Sequence, residues 1–173
     1  MNIEHIFPGT ELHVYKVTDI LSEGQMKLLG KLVKGHLPTG YKQDELDQIV
    51  ADIRSASVQA CEEIFNLEGL TAKPENKDWP WFDVSADDDW NSRSFEHSGL
   101  KPGGNEFLSE LFIQNAEGGE ILFKRRLLPE NSPKTPIKLE PGEMLIASRE
   151  AHHEFEIKEI TSGVRFTLLT HIH

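Results

Sequence analysis

Over Glu11 to Val17 polar and apolar residues alternate, with Leu12, Val14 and Tyr15 as candidates for burial, which predicts a strand. The period then changes. Ser22 and Gln25 have the spacing of a capping box, and Met26, Leu28, Leu29 and Leu32 follow at helical intervals. Pro38-Thr39-Gly40 ends that helix. A second helix is expected over about Asp44 to Asn66. Leu46, Ile49, Val50, Ile53, Ser57, Ala60, Cys61 and Ile64 recur every three or four residues as one stripe, and Gly69 is a stop signal. Both helices read as supports packed on a sheet.

From Thr71 to Gly104 no period holds. This stretch carries Pro74, Pro80, Pro102, the pair Gly103-Gly104, all three tryptophans (Trp79, Trp81, Trp90) and the acidic run Asp87-Asp88-Asp89. A long irregular segment in a compact domain is often functional. The tryptophans either cover a pocket or bury a loop, and the acidic run reads first as a solvated turn. After Gly104 short apolar runs return between Gly, Pro, Asn and Ser, and predict strands at Phe107–Gln114, Gly119–Phe123, Pro136–Leu139, Glu143–Ala147, His153–Lys158 and Val164–His171. Helices first and a β-core second give an α+β, mainly β architecture: a jelly roll with two flanking N-terminal helices. One domain over 1–173 is expected, divided into strand and supporting helices (1–69), the irregular segment (70–106) and the jelly-roll core (107–173).

Composition narrows the function. The 173 residues are 38% hydrophobic with a mean hydropathy of -0.43, and no apolar run approaches the roughly 20 residues of a membrane span. The start, Met1-Asn2-Ile3-Glu4-His5, has no basic region followed by an apolar one. The single Cys61 excludes an intramolecular disulfide and suits a reducing, cytoplasmic setting. A net charge of -11 argues against nucleic acid and anionic membranes, since phosphate contacts need a basic face and the only dense basic word is Lys124-Arg125-Arg126.

The chemistry-bearing residues are late in the chain. His97 and His153 are far enough apart to lie on different strands that fold back together. Two histidines and a carboxylate on one face make the usual non-haem Fe(II) site, which leaves the opposite face open. Arg165 follows on the next predicted strand, and its planar fork matches a carboxylate. Thr167 is two residues on and shares its face. Alternation does not say whether that face is the inner one. Each histidine alone reads as structural, and Arg165 alone as an exposed ion-pair residue.

Taken in order, the strand before Gly118-Gly119-Glu120, the word Leu139-Glu140-Pro141-Gly142-Glu143-Met144-Leu145-Ile146, the distal histidine and the ending Gly163-Val164-Arg165-Phe166-Thr167 resemble the Fe(II)- and 2-oxoglutarate-dependent oxygenases, in particular the prolyl-hydroxylase-like branch. The resemblance covers roughly His97 to His171. It implies a double-stranded β-helix, Fe(II) as cofactor and 2-oxoglutarate as cosubstrate. His97 matches the first metal histidine and His153 the distal one, with His152 as the alternative if the register slips by one. Arg165 matches the residue that pairs with the distal carboxylate of 2-oxoglutarate, and Thr167 the hydroxyl beside it. Two positions depart from the pattern. The usual His-x-Asp reads His97-Ser98-Gly99, so the carboxylate must come from elsewhere (Asp83 or the run beginning at Asp87) or be absent. Phe112 stands where relatives often carry a tyrosine. The resemblance implies hydroxylation of an amino-acid side chain or small molecule, with a small-molecule or peptide substrate. The alternatives are a halogenase-like variant without the carboxylate, a non-catalytic jelly roll of the same ancestry that binds a ligand or partner, and an unrelated cupin-like jelly roll.

Overall fold

The computed structural model describes residues 1–10, 12–33, 43–74, 81–85, 106–123, 134–148, 151 and 155–173, with the backbone alone at 74, 81–85 and 157. Two strands, β1 (Asn2–His5) and β2 (Val14–Thr18), precede two helices, α1 (Glu23–Val33) and α2 (Gln43–Phe65). Ten strands follow: β3 (Ala72–Pro74), β4 (Trp81–Ser85), β5 (Phe107–Gln114), β6 (Glu117–Gly118), β7 (Ile121–Phe123), β8 (Thr135–Ile137), β9 (Met144–Ser148), β10 (Phe155–Ile157), β11 (Ile160–Ser162) and β12 (Val164–Ile172).

Local chemistry sets the helix ends. The Ser22 amide donates to Gln25 Oε1 at 2.9 Å and the Gln25 amide donates to Ser22 Oγ at 3.3 Å, a reciprocal capping box. At the end of α2, Asn66 takes a left-handed φ of 51° and the Leu67 amide reaches back to the Glu62 carbonyl at 3.1 Å. The turn therefore closes at Asn66, ahead of Gly69.

The largest sheet runs β1-β2-β9-β5-β12-β3, with β4 also paired to β12, and every pairing is antiparallel. A three-stranded sheet, β10-β7-β8, and the pair β11-β6 complete it. β5 and β12 are buried on both faces over most of their length, although Ser109 and Glu110 interrupt the apolar residues of β5 and Arg165, Thr167 and Thr170 those of β12. On one face, Leu111, Ile113, Met144, Ile146, Phe166 and Leu168 share a core with Leu46, Ile49, Ile53 and Cys61 of α2. Ser57 Oγ of α2 shares a 2.7 Å hydrogen bond with Ser109 Oγ of β5, which satisfies two hydroxyls in that core. On the other face, Val14, Phe112, Leu145 and Ala147 pack on Ile121, Phe123, Ile137 and Phe155 of the small sheet. Helices, large sheet and small sheet form three layers, and the fold is mostly β.

The segment from Thr71 to Gly104, without a period in sequence, contributes β3 and β4, both docked on β12. Their register comes from a partner strand remote in sequence, which no local pattern encodes. The Cys61 thiol is fully buried, and desolvation pushes it up to about 12, so it packs as an inert apolar group. No helix of the described residues is long and apolar enough to cross a membrane.

Candidate ligand anchor on the inner face of the sheet

The helix layer decides which way β12 faces. Phe166, Leu168 and Ile172 belong to the core beneath α2, so Arg165 and Thr167, at alternate positions, face the small sheet. Both are buried, Arg165 at 4% exposure and Thr167 at 0%. Thr167 stands opposite Phe112 of β5, whose ring belongs to the inner core. A bulge separates Phe166, paired with Gln114, from Thr167, paired with Phe112, and leaves Ile113 as the extra residue. Gln114 Nε2 donates to the Val164 carbonyl at 3.0 Å across this break.

Arg165 does not extend to solvent. Its guanidinium carbon lies 5.0 Å from the centre of the Phe112 ring, and Nη2 donates to Glu110 Oε1 at 2.6 Å. Glu110 is opposite Leu169, so the Arg165 side chain runs lengthwise along the inner face to reach it. Glu110 is itself 3% exposed. Two polar atoms at this place, Arg165 Nε and Thr167 Oγ1, are buried without a hydrogen-bond partner among the described residues. Buried donors are rarely left so, and orphans side by side are places to look for a ligand or an ordered water. Gly119 closes over the arginine with a φ of 66°. A Cβ there would come within 3.0 Å of Ile160 Cγ1 and 3.9 Å of Arg165 Cδ.

The structure thus brings Arg165, Thr167 and Phe112 together. Asp83, in β4, is paired with Phe166, so its backbone is adjacent to the anchor strand, while its side chain lies outside the described residues. His97, His152, His153 and Asp87 also lie outside them. Among the described residues no group of three His, Cys, Asp or Glu could hold a metal ion. Glu110 was not singled out from the sequence. The signal was there: a charged residue in the middle of the apolar run Phe107–Gln114 must find a partner if the strand is buried on both faces.

No family model matches the sequence, and no curated protein matches it. Solved structures do. A truncated form of the viral collagen prolyl hydroxylase from Paramecium bursaria Chlorella virus-1 superposes with a TM-score of 0.54 at 12% identity, over 92% of this chain and 88% of that one. The same enzyme in its 2OG complex gives 0.55 at 11% identity, over 97% and 98%. In fold, this chain is similar to a prolyl hydroxylase. At these identities the likeness is one of fold: mostly antiparallel strands in a jelly-roll arrangement. The residues present fit part of what a 2-oxo acid needs at its distal end, since a buried guanidinium and a buried hydroxyl share the inner face. Glu110 already accepts one hydrogen bond from that guanidinium.

Proposed function

We propose that the chain is an Fe(II)- and 2-oxo-acid-dependent oxygenase built on a double-stranded β-helix, most simply a hydroxylase of an amino-acid side chain or small molecule. The observation that carries this reading is the inner-face anchor. A buried arginine and threonine with unpartnered polar atoms point away from the helix layer, in a fold shared with a hydroxylase solved in complex with 2OG. His97 and His153 would hold the iron, with His152 the alternative, and Gly99 would leave one position without a protein carboxylate. Asp83 or Asp87 would be the source of a third ligand if one is needed.

When bound, iron and 2-oxo acid would together activate dioxygen for taking hydrogen from an unactivated C–H bond, with oxidative decarboxylation of the 2-oxo acid. The chain's own part is placement. Arg165 and Thr167 orient the cosubstrate from its distal end. Phe112 and the apolar residues around it keep water from that end and strengthen every polar contact made there. The segment from Thr71 to Gly104 would form the substrate entrance.

The Glu110–Arg165 pair favours a second reading, a non-catalytic jelly roll of the same ancestry that binds a ligand or partner. Anaerobic titration with Fe(II), with and without a 2-oxo acid, separates the two. The oxygenase reading expects a visible charge-transfer band that needs both components and vanishes in His153→Ala. Absence of metal uptake and of any band, with every 2-oxo acid tried, leaves the non-catalytic reading.

A further inference from the structure

We propose that Glu110 sets the charge that the anchor accepts, so that the site takes a 2-oxo acid whose distal end is a neutral hydrogen-bond acceptor rather than a second carboxylate. This rests on the oxygenase reading and refines its cosubstrate. In a seat for a dicarboxylate the guanidinium is the sole charge, and the ligand's distal carboxylate neutralises it. Here that neutralisation is internal. Arg165 Nη2 donates to Glu110 Oε1 at 2.6 Å, and both side chains are buried, at 4% and 5% exposure.

An arriving carboxylate meets two unfavourable options. It can share the guanidinium with Glu110, which places two anions on one cation away from water. Alternatively it can displace Glu110, which leaves that carboxylate buried without another cation among the described residues, because residues on both sides of it in β5 are packed. Like-charge juxtaposition of this kind is a usual means of rejecting the wrong ligand. Part of the anchor remains unsatisfied. Arg165 Nε and the Thr167 hydroxyl have no partner among the described residues. Both can donate, and a carbonyl oxygen can accept two hydrogen bonds without bringing a charge. Phe112 agrees with this reading. It gives the guanidinium an aromatic face at 5.0 Å, where a tyrosine would have offered a hydroxyl to a carboxylate.

The test is anaerobic titration of the Fe(II)-loaded full chain with 2-oxoglutarate and with its 5-methyl ester, read by the chelate band. The wild-type protein should bind the ester at least tenfold more tightly than the diacid. Glu110→Gln frees the guanidinium charge and should reverse that order, with 2-oxoglutarate gaining at least tenfold. Tighter binding of 2-oxoglutarate than of the ester by the wild-type protein overturns the proposal while leaving the oxygenase reading intact. Because this comparison uses unaltered protein, it holds even if Glu110→Gln folds poorly. A folded Glu110→Gln that keeps the wild-type order overturns it too. No band with either ligand, in either protein, removes the oxygenase reading and this inference with it.

Discussion

Among the described residues, removal of Arg165 alone leaves the Glu110 carboxylate buried with no cation, and removal of Glu110 alone leaves the guanidinium with no anion. Such orphaned charges typically cost about 3–5 kcal/mol, whereas replacing both members by apolar residues is often neutral. Arg165→Met should therefore lower the urea midpoint sharply, and Arg165→Met combined with Glu110→Leu should recover most of the loss. A double variant as unstable as the single one would show that the pair is not an isolated unit. At this scale the sequence showed that Arg165 and Thr167 share a face, because strand alternation is local. It could not show Glu110 as the partner, since that contact joins strands far apart in the chain and requires a side chain lying along the sheet.

At the scale of elements, two glycines give opposite expectations. Gly118, at the end of β6, has a φ of 76°, and a Cβ there would sit 2.2 Å from the Glu159 carbonyl oxygen. Gly30, within α1, has open space at its Cβ position. Gly118→Ala should destabilise by about 1–3 kcal/mol through backbone strain and loosening of the β6–β11 pair. Gly30→Ala should instead stabilise by roughly 0.5–1 kcal/mol, since alanine is the better helix former. Thermal melts of the two variants read both signs. Element legibility divides in the same way. The capping box at Ser22, the buried stripe of α2 and the extent of β5 were plain in the sequence, because each is written in a short window. β3 and β4 were not, because three and five residues carry too little pattern and their order is imposed by pairing with β12.

At the scale of the molecule, α2, β5, β9 and β12 share one core, so the anchor strand is held from behind by the helix layer. Ile53 is fully buried in that core. Ile53→Ala should cost about 2–5 kcal/mol. For a chain of this size the melting temperature should fall by roughly 2–4 °C per kcal/mol. The loss should appear equally in helix and strand signals, as one cooperative unit requires. A helix signal that melts ahead of the strand signal would mean that α2 does not brace the anchor.

The sequence by itself determined that helices precede a β-rich core and that an arginine and a threonine lie together on one face of the last strand. Periodicity, composition and spacing are properties of neighbouring residues, so they are legible before folding. Only the tertiary structure decided which face of β12 is the inner one, because that depends on where α2 packs. It also supplied the bulge beside Thr167, the docking of β3 and β4, and the burial of Glu110 against Arg165. These are pairings between segments distant in the chain, fixed by the geometry of the packed layers, and the preference proposed for a neutral ligand end rests on one of them.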